Sequence, residues 1–205
     1  MNTQASHSIK KSLTTSQVRK IARTIVALDP SFEVVIRKSS LCPIGLEIND
    51  EPHFYSLATS ILSQQLSTKA ASIIIQRVEL AAGGITPKKI AAMKENQLRA
   101  AGASGAKVRS LTELSEIFLD RKSQVHHLHK LNDEEIEDIL LPLFGIGRWT
   151  IEMFLIFKLG RVDVWPVGDL GVRRGWEKIH RMRSEIRPKN LELLGEKFSP
   201  YRSHV

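Results

Sequence analysis

The chain has 205 residues, enough for one good core or two small lobes but too few for two independent domains. Its 30 Lys and Arg against 22 Asp and Glu give a net charge of +8, which suits a polyanionic partner or, equally, a plain basic surface. A single cysteine, Cys42, excludes an intrachain disulfide, a cysteine zinc site and a four-cysteine iron–sulfur cluster, and it suggests a reducing compartment; no segment reads as a signal peptide or approaches the roughly 20 apolar residues of a membrane span.

Helical periodicity recurs from end to end and strand alternation is nearly absent, so the expected fold class is all-α. Residues 1–14 read as a polar tail and 15–205 as one domain. Thr15 or Ser16 is positioned to cap a helix bearing Val18, Ile21, Ile25 and Val26, which ends before Pro30. Residues 38–50 read as a loop. Asp50 is the expected cap of a helix with Pro52 in its first turn and an apolar face of Phe54, Leu57, Ala58, Ile61 and Leu62. A second helix starts at Ser67 or Thr68 and runs to Gly83-Gly84; further starts fall at Thr86, Asn96, Ser104, Ser123, Asn132 and Asn190. Ile151–Leu159, interrupted by Glu152 and Lys158, reads as part of one buried helix carrying Thr150 to Leu159.

The strongest local signal is Leu143-Phe144-Gly145-Ile146-Gly147-Arg148-Trp149-Thr150. Asn132 starts the preceding helix, and two glycines one residue apart allow a tight turn with φ > 0 and uncovered amides at the next helix start. Such amides, beside Arg148, favour phosphate binding over a plain structural turn with a glycine cap, and contacts of that kind are blind to base sequence. Asp169 lies 22 residues past Gly147, within Pro166-Val167-Gly168-Asp169-Leu170, where it can also cap the helix that follows.

Four blocks together resemble the helix-hairpin-helix superfamily of DNA base-excision glycosylases, specifically the alkyl-purine branch of DNA-3-methyladenine glycosylase II type. They are Ile61-Leu62-Ser63-Gln64-Gln65-Leu66-Ser67 with Lys69-Ala70-Ala71; Leu98-Arg99-Ala100-Ala101-Gly102 with Lys107-Val108; Phe144 to Thr150; and Val164 to Gly171. The order and spacing fit over roughly residues 15 to 203. The resemblance implies two helical lobes flanking a groove, about 68–165 with the hairpin 143–149 in one and 15–67 plus 166–205 in the other. It implies a monofunctional enzyme, without cofactor, that hydrolyses the glycosidic bond of alkylated purines such as 3-methyladenine and 7-methylguanine in duplex DNA. Asp169 is then the catalytic carboxylate, with Asp163 as the competing acid. Trp149 stands where lyase members carry a lysine nucleophile, and Arg148 cannot serve as one.

The base pocket is expected from Trp149, Met153, Tyr55 and Trp165, each of which could instead be core packing. DNA contacts are expected at Gly145, Ile146, Gly147, Arg148, Thr150 and Arg173. Gln65 is expected to fill the space left by the extruded nucleotide or simply to end its helix in solvent. A monovalent cation is expected on the Phe144 and Ile146 carbonyls. His126-His127-Leu128-His129 reads as a solvated face rather than a metal site, lacking Cys or convergent acids. Relatives usually continue into a further helix beyond a segment like 199–203, so that helix is expected to be missing. A monomer acting in the cytoplasm of a bacterium or a eukaryotic nucleus completes the expectation, with no membrane partner. The alternatives are a glycosylase for deaminated or oxidised bases and a non-catalytic DNA-binding hairpin module.

Overall fold

The computed structural model describes residues 12–46 and 49–205. Among these there are only helices, turns and loops, in accord with the all-α expectation. No helix among them is long and apolar enough to cross a membrane. The contacts divide into two compact units, residues 1–49 with 155–205 and residues 50–154. This differs from the expected lobes at 68–165 and 15–67 plus 166–205. Residues 50–67 belong with the hairpin because the helix they form packs on later helices of that unit.

The central unit begins with α3 (His53–Ser63), once α1 (Thr15–Leu28) and α2 (Glu33–Lys38) have been passed in the other. It continues through α4 (Thr68–Ala82), α5 (Pro87–Ala91), α6 (Glu95–Ala100), α7 (Gly105–Leu119), a 3-10 segment (Gln124–Lys130), α8 (Asp133–Leu140) and α9 (Arg148–Met153). The apolar face of α3 is fully buried, and α3 packs on α4, α7 and α9. Leu57, Ile61, Leu62, Leu111, Leu114 and Ile151 are therefore core residues, each contributing roughly 1.5–3 kcal/mol by leaving water. Ser67 caps α4, and Gly83 ends it in the left-handed conformation with φ 70°.

The second unit holds α1, a 3-10 turn (Pro30–Phe32), α2, α10 (Leu170–Ile179) and α11 (Pro188–Gly195). Ile21, Ile25, Phe32, Trp176, Ile186, Leu191 and Phe198 form its core. A clasp closes it: His180 and Lys197 each contact the Asp29 carboxylate at 3.0 Å, and the His180 ring stacks on Trp176 at 4.2 Å. Burial works against the Asp29 charge, but hydrogen bonds from His180, Lys197 and the Ser31 amide outweigh it and hold this carboxyl below the usual range. A lowered folded value means that its contribution is complete above the ordinary carboxylate value near ~3.9 and is lost as the pH falls. The melting temperature is expected to drop steadily on acidification from about pH 5 to pH 2, and Asp29→Asn to flatten that drop in calorimetry.

Several boundaries differ from the sequence-based expectation. The cap of α1 is Thr14, because Gln17 three residues on completes a capping box; Thr15 and Ser16 are already helical. Residues 30–38, for which the sequence offered no element, form the 3-10 turn and α2, so Lys38 is helical rather than the start of the loop. Pro52, not Asp50, stands at the cap position of α3. Glu95 starts α6, since the Gln97 side chain accepts from the Lys94 amide, and Pro188 rather than Asn190 starts α11. The expected helix from Thr150 to Leu159 is α9 followed by a π-helical turn, Phe154–Lys158, so the apolar run changes pitch where the chain passes from one unit to the other.

Candidate active site

In the central unit, Asn132 caps α8 through a capping box with Glu135, and the chain turns through 141–147 into α9. Gly145 has φ 76°, a left-handed backbone that only glycine adopts without cost, and a Cβ there would lie 2.1 Å from Ser110 Oγ. The turn is thus pressed onto α7. Gly147 differs from expectation: its φ is −100°, an extended backbone open to any residue. What sets it apart is space, since nothing lies within 4 Å of where its Cβ would be.

Three hairpin amides are already used: Leu143 N–H donates to the Leu140 carbonyl at 3.1 Å, Phe144 N–H to Glu113 Oε2 at 2.8 Å and Ile146 N–H to the Leu143 carbonyl at 3.1 Å. The Phe144 amide and the Arg109 side chain hold the Glu113 carboxyl below its ordinary value. Arg109 also lies over the Phe144 ring, 3.9 Å from its centroid. The amides of Gly145, Gly147 and Arg148 have no acceptor among the described residues, so these are the hairpin amides open to a ligand. The carbonyls of Phe144 and Ile146 accept no hydrogen bond among the described residues, a donor set that fits a weakly held monovalent cation; the Gly145 carbonyl is taken by Gln64.

Two of the expected DNA contacts are corrected. Thr150 is buried, and its hydroxyl accepts from Gln64 Nε2 at 3.1 Å, so its side chain ties the hairpin to α3. The Ile146 side chain is core and its amide is taken by the Leu143 carbonyl, leaving only its own carbonyl for a ligand. Arg148 is exposed and sits 3.3 Å from Glu137. Gln65 is exposed, with the left-handed φ of 58°.

Trp149, at the start of α9, is 39% exposed, unlike the core Trp176 at 4%. Met153 lies one turn further along the same helix and is half-buried. Tyr55, also half-buried, lies near the start of α3, where the neighbouring His53 ring meets Phe154, and burial pushes its phenol up. Trp149, Met153 and Tyr55 thus belong to one helix pair, α3 and α9.

In the other unit, Asp169 is the N-cap of α10, its Oδ1 accepting from the Val172 amide at 2.8 Å. Its neighbours leave room: nothing lies within 4 Å of a Cβ at Gly168, while one at Gly171 would crowd Asp169 Oδ1 at 3.0 Å. Asp163, the competing acid, is fully engaged. Its carboxylate accepts from Arg202 Nε at 2.7 Å, from a second Arg202 guanidinium nitrogen at 3.0 Å and from Ser199 Oγ at 2.9 Å. These bonds outweigh burial and hold it below the usual range. A carboxylate neutralised by a bidentate arginine is poorly suited to stabilising a passing cation. Asp163→Asn is therefore expected to lower stability by roughly 1–2 kcal/mol in denaturant unfolding, with any catalytic rate changed by less than about threefold.

Trp165 differs from its expected pocket role. Its indole N–H donates to the Leu191 carbonyl at 2.9 Å, and the ring packs on the core beside Trp176. A Cβ at Gly195 would come within 2.1 Å of Trp165 Nε1, so this glycine makes the seat for the indole. Arg173 is on α10, with Nε buried and lacking an acceptor among the described residues. No group of three or more His, Cys, Asp or Glu suited to a metal occurs among the described residues. His126 instead contacts the Asp120 carbonyl, and His129 lies 3.4 Å from His53.

Sequence reasoning missed Gln64, which donates to the Gly145 carbonyl at 2.9 Å, and the face of α7 formed by Lys107, Ser110 and Glu113. The three-residue spacing of that face was its only visible signal.

The chain resembles known proteins in both sequence and fold. The chain is 36% identical over 133 residues to DNA-3-methyladenine glycosylase 1 of Schizosaccharomyces pombe, a match covering 63% of this chain and 58% of the relative. It is 33% identical to the DNA-3-methyladenine glycosylase of Saccharomyces cerevisiae, covering 75% and 64% respectively, so it spans about three fifths of the length of these two relatives. Among solved structures, the S. pombe 3-methyladenine DNA glycosylase in complex with abasic DNA superposes with a TM-score of 0.81 at 29% identity, over 90% of this chain and 92% of that one. A DNA-3-methyladenine glycosidase from Bacillus halodurans gives 0.73 at 32% identity, over 89% and 84%. The model of the HhH-GPD superfamily base excision DNA repair protein matches residues 58–200. The chain belongs to the HhH-GPD superfamily.

Proposed function

We propose that the chain is a monofunctional DNA glycosylase that removes N-alkylated purines from duplex DNA, leaving an abasic site. The observation that carries this reading is the division of labour between two carboxylates: Asp163 is consumed by Arg202 and Ser199, whereas Asp169 caps α10, with Gly168 before it and Gly171 two residues after it. The names of the yeast and Bacillus relatives, and the abasic DNA bound by one of them, support the substrate class.

The chemistry follows from the residues. Breaking an N-glycosidic bond puts positive charge on the sugar, and a fixed carboxylate stabilises that charge and orients or deprotonates the attacking water. A purine alkylated at N3 or N7 already carries a positive charge and departs as a neutral base, so no second acid is needed to protonate it. The Gly145, Gly147 and Arg148 amides grip a backbone phosphate, and the exposed Trp149 offers its π-face to the extruded, electron-poor base. A monovalent cation held by the Phe144 and Ile146 carbonyls would add positive charge facing the phosphate.

The absence of a lyase step is tested directly. Wild-type protein incubated with duplex carrying one 7-methylguanine is expected to leave the strand intact until alkali is added, and borohydride is expected to trap no protein–DNA adduct. A trapped adduct, or cleavage without alkali, would show an amine nucleophile at work and overturn the monofunctional assignment.

A further inference from the structure

Gln65 is one of two non-glycine residues with a left-handed backbone among those described, the other being Arg181. Glutamine gains little from that conformation by itself, so the surrounding structure must impose it. Two side chains do so. Lys107, in the first turn of α7, donates its ammonium to the Leu62 carbonyl at 2.7 Å and to the Gln64 carbonyl at 3.0 Å, two groups at the end of α3 left without helical partners. Burial lowers the Lys107 pKa, as expected for an ammonium drawn out of water to reach these carbonyls. Gln64 then extends its amide to the Gly145 carbonyl at 2.9 Å and Thr150 Oγ1 at 3.1 Å, contacts that bridge 81 and 86 residues of chain.

We propose that Gln64, braced by Lys107, is a positioning residue that fastens the Gln65 turn to the phosphate-binding hairpin. The side chain entering the duplex and the amides gripping the backbone then stay in fixed register. The inference rests on the glycosylase reading above and on Gln65 as the inserted residue. A chain held at one phosphate by Gly145, Gly147 and Arg148 can push a nucleotide out of the stack only if the pushing residue does not recoil. Gln64 supplies that stiffness, touching neither DNA nor the reacting atoms, and it does so before DNA arrives.

The test uses Gln64→Met, which keeps the length and removes the hydrogen bonds. Its single-turnover base release from a lesion in a paired duplex is expected to fall about 10- to 100-fold. Affinity for undamaged duplex should stay within about threefold of wild type, since phosphate contacts are retained. Most of the lost rate should return when the lesion lies opposite a one-nucleotide gap, where extrusion costs less. In a Gln65→Ala background, Gln64→Met should add little further loss. An equal defect on paired and gapped substrates, full additivity with Gln65→Ala, or a wild-type rate on the paired duplex would each overturn the inference. If Gln64→Met fails to fold, Lys107→Gln is expected to give the same pattern through the same turn. Wild-type protein that releases no base from either substrate would instead refute the glycosylase reading itself.

Discussion

An Asp169→Asn variant is expected to bind lesion-bearing duplex as wild type does and to release base about 100- to 1000-fold more slowly. The two halves of that expectation have separate origins. Asn is as good an N-cap as Asp, so the Val172 amide keeps its acceptor and α10 keeps its start. What the substitution removes is the negative charge, and with it the stabilisation of a cationic sugar. Asp169→Ala would confound the two by stripping the cap as well, at about 1 kcal/mol. Chromatographic detection of free base under single-turnover conditions, with thermal melting in parallel, measures both. Near-wild-type release by Asp169→Asn would reassign the catalytic carboxylate.

The second large effect is expected at the hairpin, where the two glycines should behave differently. Gly145→Ala forces a Cβ into a left-handed backbone and to 2.1 Å from Ser110 Oγ. The backbone strain costs about 1–2 kcal/mol and overpacking adds about 1–3 kcal/mol, so a loss of roughly 2–5 kcal/mol is expected. For a chain of this size the melting temperature should fall by roughly 4–20 °C. Adding Ser110→Gly removes the contact and should restore part of the loss. Gly147→Ala, with φ −100° and open space, should melt as wild type does. Its methyl group would nonetheless cover the amides that face the phosphate, so duplex affinity should weaken. Equal melting of the two variants would contradict the assignment of separate roles.

The difference between those glycines also shows what the sequence could and could not convey. The turn was legible because glycine spacing, the Asn132 capping box and the following Trp149 are local signals. Asp169 was legible as a cap for the same reason. Which glycine bears the strain was not, because it depends on Ser110, 35 residues away on α7. Gln64 and Lys107 were hidden likewise: their partners lie on other helices, and a glutamine at a helix end looks the same from sequence whether it is solvated or bonded to a distant carbonyl. Trp149 and Trp165 read alike as pocket candidates, and what separates them is tertiary: Trp165 is seated against Gly195 and bonded to the Leu191 carbonyl, whereas Trp149 is exposed. Thr150 was misread because its position at a helix start signals anion contact, while its hydroxyl turns inward to Gln64. The change to π-helical pitch at Phe154–Lys158 had no signal in a mostly apolar run.

The most direct measurement incubates the 205-residue protein with duplex DNA containing 7-methylguanine and, separately, uracil or 8-oxoguanine, and quantifies the bases released. The expected result is free 7-methylguanine and little of the other two, because only the alkylated purine leaves without an acid to protonate it. Tight binding of the methylated duplex with no base released would contradict the account and mark the chain as a binding module; preferential release of uracil or 8-oxoguanine would contradict the substrate class.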